Sequence, residues 1–213
     1  MIRPLGSREQ SEFMQATEKL FDRDAYAAEF TAEILAAEYT VQKKKGLWEV
    51  ILDRTLFFPE EGGQTPDTGE LGGYPVVDVQ LEGSVIRHFV QAPENIRHFA
   101  QIPEDIRHFA QIHEKTAEIA EDREGNGEEG SRLPFVPGQT VRGRIDFAHR
   151  FSNMQNHSGE HILSGLVHGR FGYDNVGFHL SDNTVTLDFN GPLADEDILW
   201  LEAAANRVVW DDR

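Results

Sequence analysis

Short runs of alternating apolar and polar residues, broken by turn residues, govern the first 148 positions. They leave little room for any fold but a curled or closed sheet. "EFTAEILAA" (29–37) puts Phe30, Ala32, Ile34 and Ala36 on one face. "QKKKG" turns the chain, and "LWEVILDRTLF" (47–57) returns with Trp48, Val50 and Leu52 in phase. "FFPEEGGQTPDTGELGG" follows and is loop by composition. "YPVVDVQL" and "SVIRHFV" flank "EG" and predict a hairpin. "QTVRGRIDF" (139–147) adds a further strand, while residues 1–14 are weakly patterned.

The period then changes from two to that of a helix. Ser152 and Gln155 fit a capping box, which predicts a helix starting near Asn153. Met154, Ile162, Leu163, Leu166 and Val167 form its apolar stripe, and Gly169 and Gly172 would end it. "VGFHL" and "TVTLDFN" read as two strands around "SDN". "ADEDILWLEAAANRVV" reads as a second helix, with acids in its first turn as the helix dipole favours. The expected class is α+β: a small N-terminal β-barrel over 1–148, then a part-α, part-β region over 149–213 carrying a His-x-x-x-His helix.

An insertion near 93–135 interrupts the first region. "VIRHFVQAPE", "NIRHFAQIPE" and "DIRHFAQIHE" run consecutively from Val85 to Glu114. The first copy continues the hairpin strand. The other two are strands between prolines, or short helices with Pro93 and Pro103 at the first position. The copies supply His88, His98, His108 and His113, readable as a histidine tract for metal or as a duplicated surface loop, which costs little free energy. Ala117 to Ser131 then holds six acids against Arg123 and reads as a solvated loop.

A net charge of −17 argues against general nucleic-acid or DNA binding, which needs clustered Lys and Arg. No run has the length of a membrane span and no signal-peptide pattern opens the chain, so a cytoplasmic protein is expected. The absence of cysteine removes thiolate ligands and disulfides.

The chemistry concentrates in "NHSGEHIL" (156–163). On a helix, His157 and His161 lie one turn apart and can grip one zinc ion. "HSGEH" also fits the H-x-x-E-H signature of a zinc peptidase with Glu160 as general base. A non-catalytic binding module is a third reading. Arg150 reads as a phosphate contact or a surface ion pair. His168 reads as a helix C-terminal group, and Glu160 as a solvated residue or a partner to a ligand.

"RFSNMQNHSGEHILSG" together with "RTLFFPEEGGQTPDTGEL" resembles the alanyl-tRNA editing family, the AlaX-like proteins related to the editing domain of alanyl-tRNA synthetase. Phe58, Pro59, Glu60, Gly62, Gly63, Gln64, Asp67, Thr68 and Gly69 match the family's loop. Met154, Gln155, His157, Ser158 and His161 match its helix. Glu61 departs from a glycine of the loop, and Glu160 stands where the family more often has an uncharged residue.

The resemblance implies deacylation of alanine tRNA carrying serine or glycine, by zinc-assisted ester hydrolysis. His157 and His161 would be two zinc ligands. The family completes the set with Cys-x-x-x-His, so the remaining ligands are expected downstream of residue 213 and the chain is expected to be an N-terminal fragment, inactive alone. Thr55, Gln64, Gly62, Gly63 and His179 are the expected substrate contacts. No side chain is assigned as acid or base, and no ATP site is expected.

Overall fold

The computed structural model describes residues 16–42, 45–91, 134–180 and 184–211. His98, His108 and His113 of the repeat, the acidic stretch 117–131, part of the "QKKKG" turn and all of "SDN" lie outside the described residues. The chain divides into two compact units. One comprises 1–59 and 66–147, the other 60–65 and 148–213.

The first unit opens with β1 (Glu18–Lys19) and a 3-10 turn at Leu20–Asp22. Then come β2 (Glu29–Gln42), β3 (Lys45–Leu52), β4 (Arg54–Thr55), β5 (Gly69–Leu71), β6 (Tyr74–Glu82), β7 (Val85–Gln91) and β8 (Thr140–Ile145). β1 pairs in parallel with β4. The other six strands form an antiparallel sheet in the order β2-β3-β7-β6-β5-β8, and β8 pairs back onto β2, so the sheet closes on itself.

The inward set is apolar. Ile34, Val50, Leu52, Leu71, Val79, Ile86 and Val90 are all buried in one cluster with Phe57 and Phe135. The alternation predicted for β2 holds through Ile34 and then slips. A register shift against β3 falls between Ile34 and Ala36, so Ala37 rather than Ala36 becomes the buried residue. A bulge inserts one residue, and with a period of two that exchanges the faces of the strand. In the β6–β7 hairpin, Glu82 pairs with Val85, so the loop residues are Gly83 and Ser84, one position later than "EG".

His88 is a core residue of the barrel rather than part of an exposed tract. It is fully buried, and its Nδ1 donates to the Val50 carbonyl at 3.0 Å. With Nδ1 protonated, Nε2 accepts from the Thr55 hydroxyl at 2.9 Å. Burial pulls its pKa down from 6.5 to about 4, against the opposing effect of the Val50 bond.

The second unit contains α1 (Phe147–Phe171), β9 (Asn175–Leu180), β10 (Val185–Phe189) and α2 (Asp195–Trp210). β9 and β10 are antiparallel. α1 starts well before the predicted Asn153, so Ser152 is an interior residue and not a cap. It runs through Gly169 and stops before Gly172, which at φ +73° donates its N–H to the His168 carbonyl. α2 carries Asp195, Glu196 and Asp197 in its first turn, and Asp197 accepts the Ala194 N–H. Among the described residues no helix is long and apolar enough to cross a membrane.

Candidate metal centre on the long helix

The buried residues of α1 are Arg150, Asn153, Glu160 and Val167. Half-buried His157 and Ser164 fall between them, at steps of three and four. The expected apolar stripe is therefore wrong for most of its length. Met154, Ile162, Leu163 and Leu166 are only half-buried, and the inward face is polar. Polar groups there must be paired, because leaving one unmade costs about 1–3 kcal/mol.

The pairing is well defined. Asn153 donates to the Thr65 hydroxyl at 3.3 Å. His157 Nδ1 lies 2.9 Å from Gln64 Oε1. His161 Nδ1 lies 2.9 Å from Glu160 Oε2. An amide oxygen and a carboxylate can only accept, so both rings carry the proton on Nδ1. Each Nε2 then bears the lone pair, and among the described residues neither has a hydrogen-bond partner. The ring centroids are 4.8 Å apart.

Gln64 reaches His157 because of the turn that carries it. The Gln64 N–H donates to the Glu61 carbonyl at 3.0 Å, with Gly62 and Gly63 at φ +60° and +83° between them. Two successive positive φ values make a type I′ turn, which glycine adopts without a Cβ penalty. Glu61 occupies the first corner, which needs no positive φ. A Cβ on Gly63 would run into the backbone carbonyl of Phe178, and the Gly63 carbonyl accepts the Leu180 N–H at 2.9 Å. The turn is thus packed onto β9, while Phe178 places its ring 5.6 Å from that of His157.

Within this unit the structure brings together His157, His161, Gln64, Gly63 and the adjoining Gly62. His179 is exposed on β9. Thr55 belongs to the barrel unit and is fully buried. It holds His88 and also accepts the Phe57 N–H at 3.0 Å. Arg150 is 3% exposed, which excludes a surface ion pair. Glu160 is buried rather than solvated. His168 bonds Asp174 at 3.0 Å near the helix end. Asn175 and Ser164, both bonded to Glu160, were missed. Their only signal was polar spacing, since Ser164 is one turn beyond Glu160.

The donor set fits a cation of borderline softness. His157, Glu160 and His161 each offer a ligand atom, all within 4.8 Å of one another. Two imidazoles whose Nδ1 groups are held by protein oxygens present Nε2 as zinc prefers. For Glu160 the base role of a peptidase is a poor match, because both of its oxygens are already engaged.

The fold and this face define a class: an α+β protein with a helix bearing paired imidazoles, each bonded through Nδ1. No family model matches the chain. Curated relatives do. It is 31% identical over 206 residues to an alanine–tRNA ligase of Ignicoccus hospitalis, matching 92% of this chain and 17% of the ligase. It is 27% identical to the alanyl-tRNA editing protein AlaX-L of Pyrococcus horikoshii, over 92% of this chain and 39% of the relative. It is 25% identical to the alanyl-tRNA editing protein Aarsd1 of Bos taurus, over 89% of this chain and 36% of the relative. The chain thus spans well under half the length of these relatives, and over about nine-tenths of its own length it is similar to alanyl-tRNA editing proteins and to part of the alanine–tRNA ligases.

Proposed function

We propose that this chain forms part of a cytoplasmic trans-editing hydrolase that deacylates alanine tRNA carrying serine or glycine. The observation that carries the reading is the pair of Nδ1-anchored imidazoles on α1, in a chain homologous to editing proteins over nearly all its length. His157 and His161 are the zinc ligands contributed here. When bound, zinc would supply Lewis acidity toward the ester carbonyl and an acidified water.

The chain's own residues supply position. Gln64 Oε1 fixes His157, and the Gln64 amide keeps its N–H donors for the aminoacyl group. Gly62 and Gly63 let backbone approach a substrate closely, and His179, exposed on β9, is a further candidate contact. A site that hydrogen-bonds the serine hydroxyl discriminates far better than an apolar pocket. With two histidines and no cysteine, zinc binding by this segment is weak.

The test is hydrolysis of seryl- and glycyl-tRNA for alanine by the protein that carries this segment. His157→Ala with His161→Ala should abolish turnover while the fold persists. Undiminished hydrolysis in the double variant would remove the reading.

A further inference from the structure

Glu160 is the odd member of the helix face. Neighbouring residues on a helix point about 100° apart and do not normally meet. Here the exposed His161 ring, 71% accessible, turns back to a carboxylate that is 8% accessible. Glu160 Oε2 accepts a hydrogen bond from His161 Nδ1–H. Glu160 Oε1 accepts from the Ser164 hydroxyl at 2.6 Å and from Asn175 Nδ2 at 2.7 Å.

The orientation of Asn175 is fixed independently. Its Oδ1 accepts the Gly177 N–H at 3.0 Å, so its amino group must face Glu160 and Ser164. Both carboxylate oxygens are therefore occupied. Among the described residues no lysine or arginine pairs with Glu160, so its contacts are those to His161, Ser164 and Asn175.

We infer that Glu160, clamped by Ser164 and Asn175, is a positioning residue that locks His161 in the Nδ1–H tautomer and turns Nε2 outward. The purpose of this clamp rests on the metal reading proposed above, whereas its geometry does not. A carboxylate on Nδ1 fixes ring orientation and makes Nε2 a stronger donor.

The experiment uses histidine-ring nitrogen NMR of the metal-free chain at about pH 8.5, where ordinary imidazoles are neutral. It is followed by zinc titration of the same samples. His161 should show the Nδ1–H tautomer in the native chain and lose it in Glu160→Ala. Zinc affinity should fall about 10–100-fold. Asn175→Ala leaves the carboxylate but loosens it, and should give a smaller fall in the same direction. If Glu160→Ala does not fold, Glu160→Gln replaces it: its amide cannot accept from His161 and from Asn175 together. A native chain that binds no zinc yet shows the tautomer change removes the metal reading and supports the clamp. A tautomer unchanged by the Glu160 and Asn175 variants overturns the clamp, whatever zinc does.

Discussion

The two units treat histidine in opposite ways. In the barrel, His88 spends both ring nitrogens internally, on Val50 and Thr55, and is held neutral by burial. On α1, His157 and His161 each spend one nitrogen and keep the other. The surroundings follow the same division. The barrel interior is apolar and closed, whereas the α1 face is a run of polar groups. A ring that is fully bonded contributes to stability; a ring bonded on one side is poised for a ligand. Damage to the barrel should therefore appear in folding, and damage to the α1 face in binding.

The contrast is sharpest where packing is densest. Phe57 is fully buried, edge-on to Phe30 and against the His88 ring. Phe57→Ala should cost about 3–5 kcal/mol in denaturant unfolding. A loss below about 1 kcal/mol would mean that the interior repacks and is not the rigid unit described.

The buried histidine gives a second, pH-dependent prediction. Its folded pKa, about 4, lies below the ordinary 6.5. Between those values the unfolded chain binds the proton more readily than the fold does. Stability is thus retained above pH 6.5 and lost as pH falls toward 4, by on the order of 3 kcal/mol from this group. His88→Gln should remove that component from the pH profile of the urea midpoint. An identical profile in the variant would show that the barrel does not hold this ring neutral.

Gly63→Ala joins the two kinds of effect. Positive φ and collision with the Phe178 carbonyl should cost about 1–3 kcal/mol in the second unit. Because the turn carries Gln64, zinc binding should fall as well. A stable variant with unchanged binding would separate the turn from the site.

The smallest stability effect belongs to the two residues proposed to hold the metal. Together, His157→Ala and His161→Ala should cost about 1–2 kcal/mol, since the bond from His157 to Gln64 and the bond from the exposed His161 ring to Glu160 are lost. A loss as large as that of Phe57→Ala would make these rings structural, like His88.

These differences were unequally legible in the sequence. Alternation located the strands because Phe30, Ala32, Val50 and Leu52 bury one face. It failed at Ala36, because a bulge carries no local signature. The helix start was misplaced because Ser152 and Gln155 imitate a cap that tertiary packing overrides. The polar α1 face was hidden because Met154, Ile162, Leu163 and Leu166 suggested an apolar stripe, whereas Asn153 is bonded to Thr65, far off in sequence, and Glu160 to Asn175 on another element. His157 and His161 were visible from spacing and motif. The bond between His157 and Gln64 was not, since 93 positions separate them.

The most direct measurement is zinc titration of this chain, followed through the ring nitrogens of His157 and His161. Both Nε2 signals should move together as zinc is raised to saturation, while both Nδ1 protons stay in place. Movement of one ring alone, loss of the Nδ1 protons, or no response in either ring at saturating zinc would contradict the shared metal site.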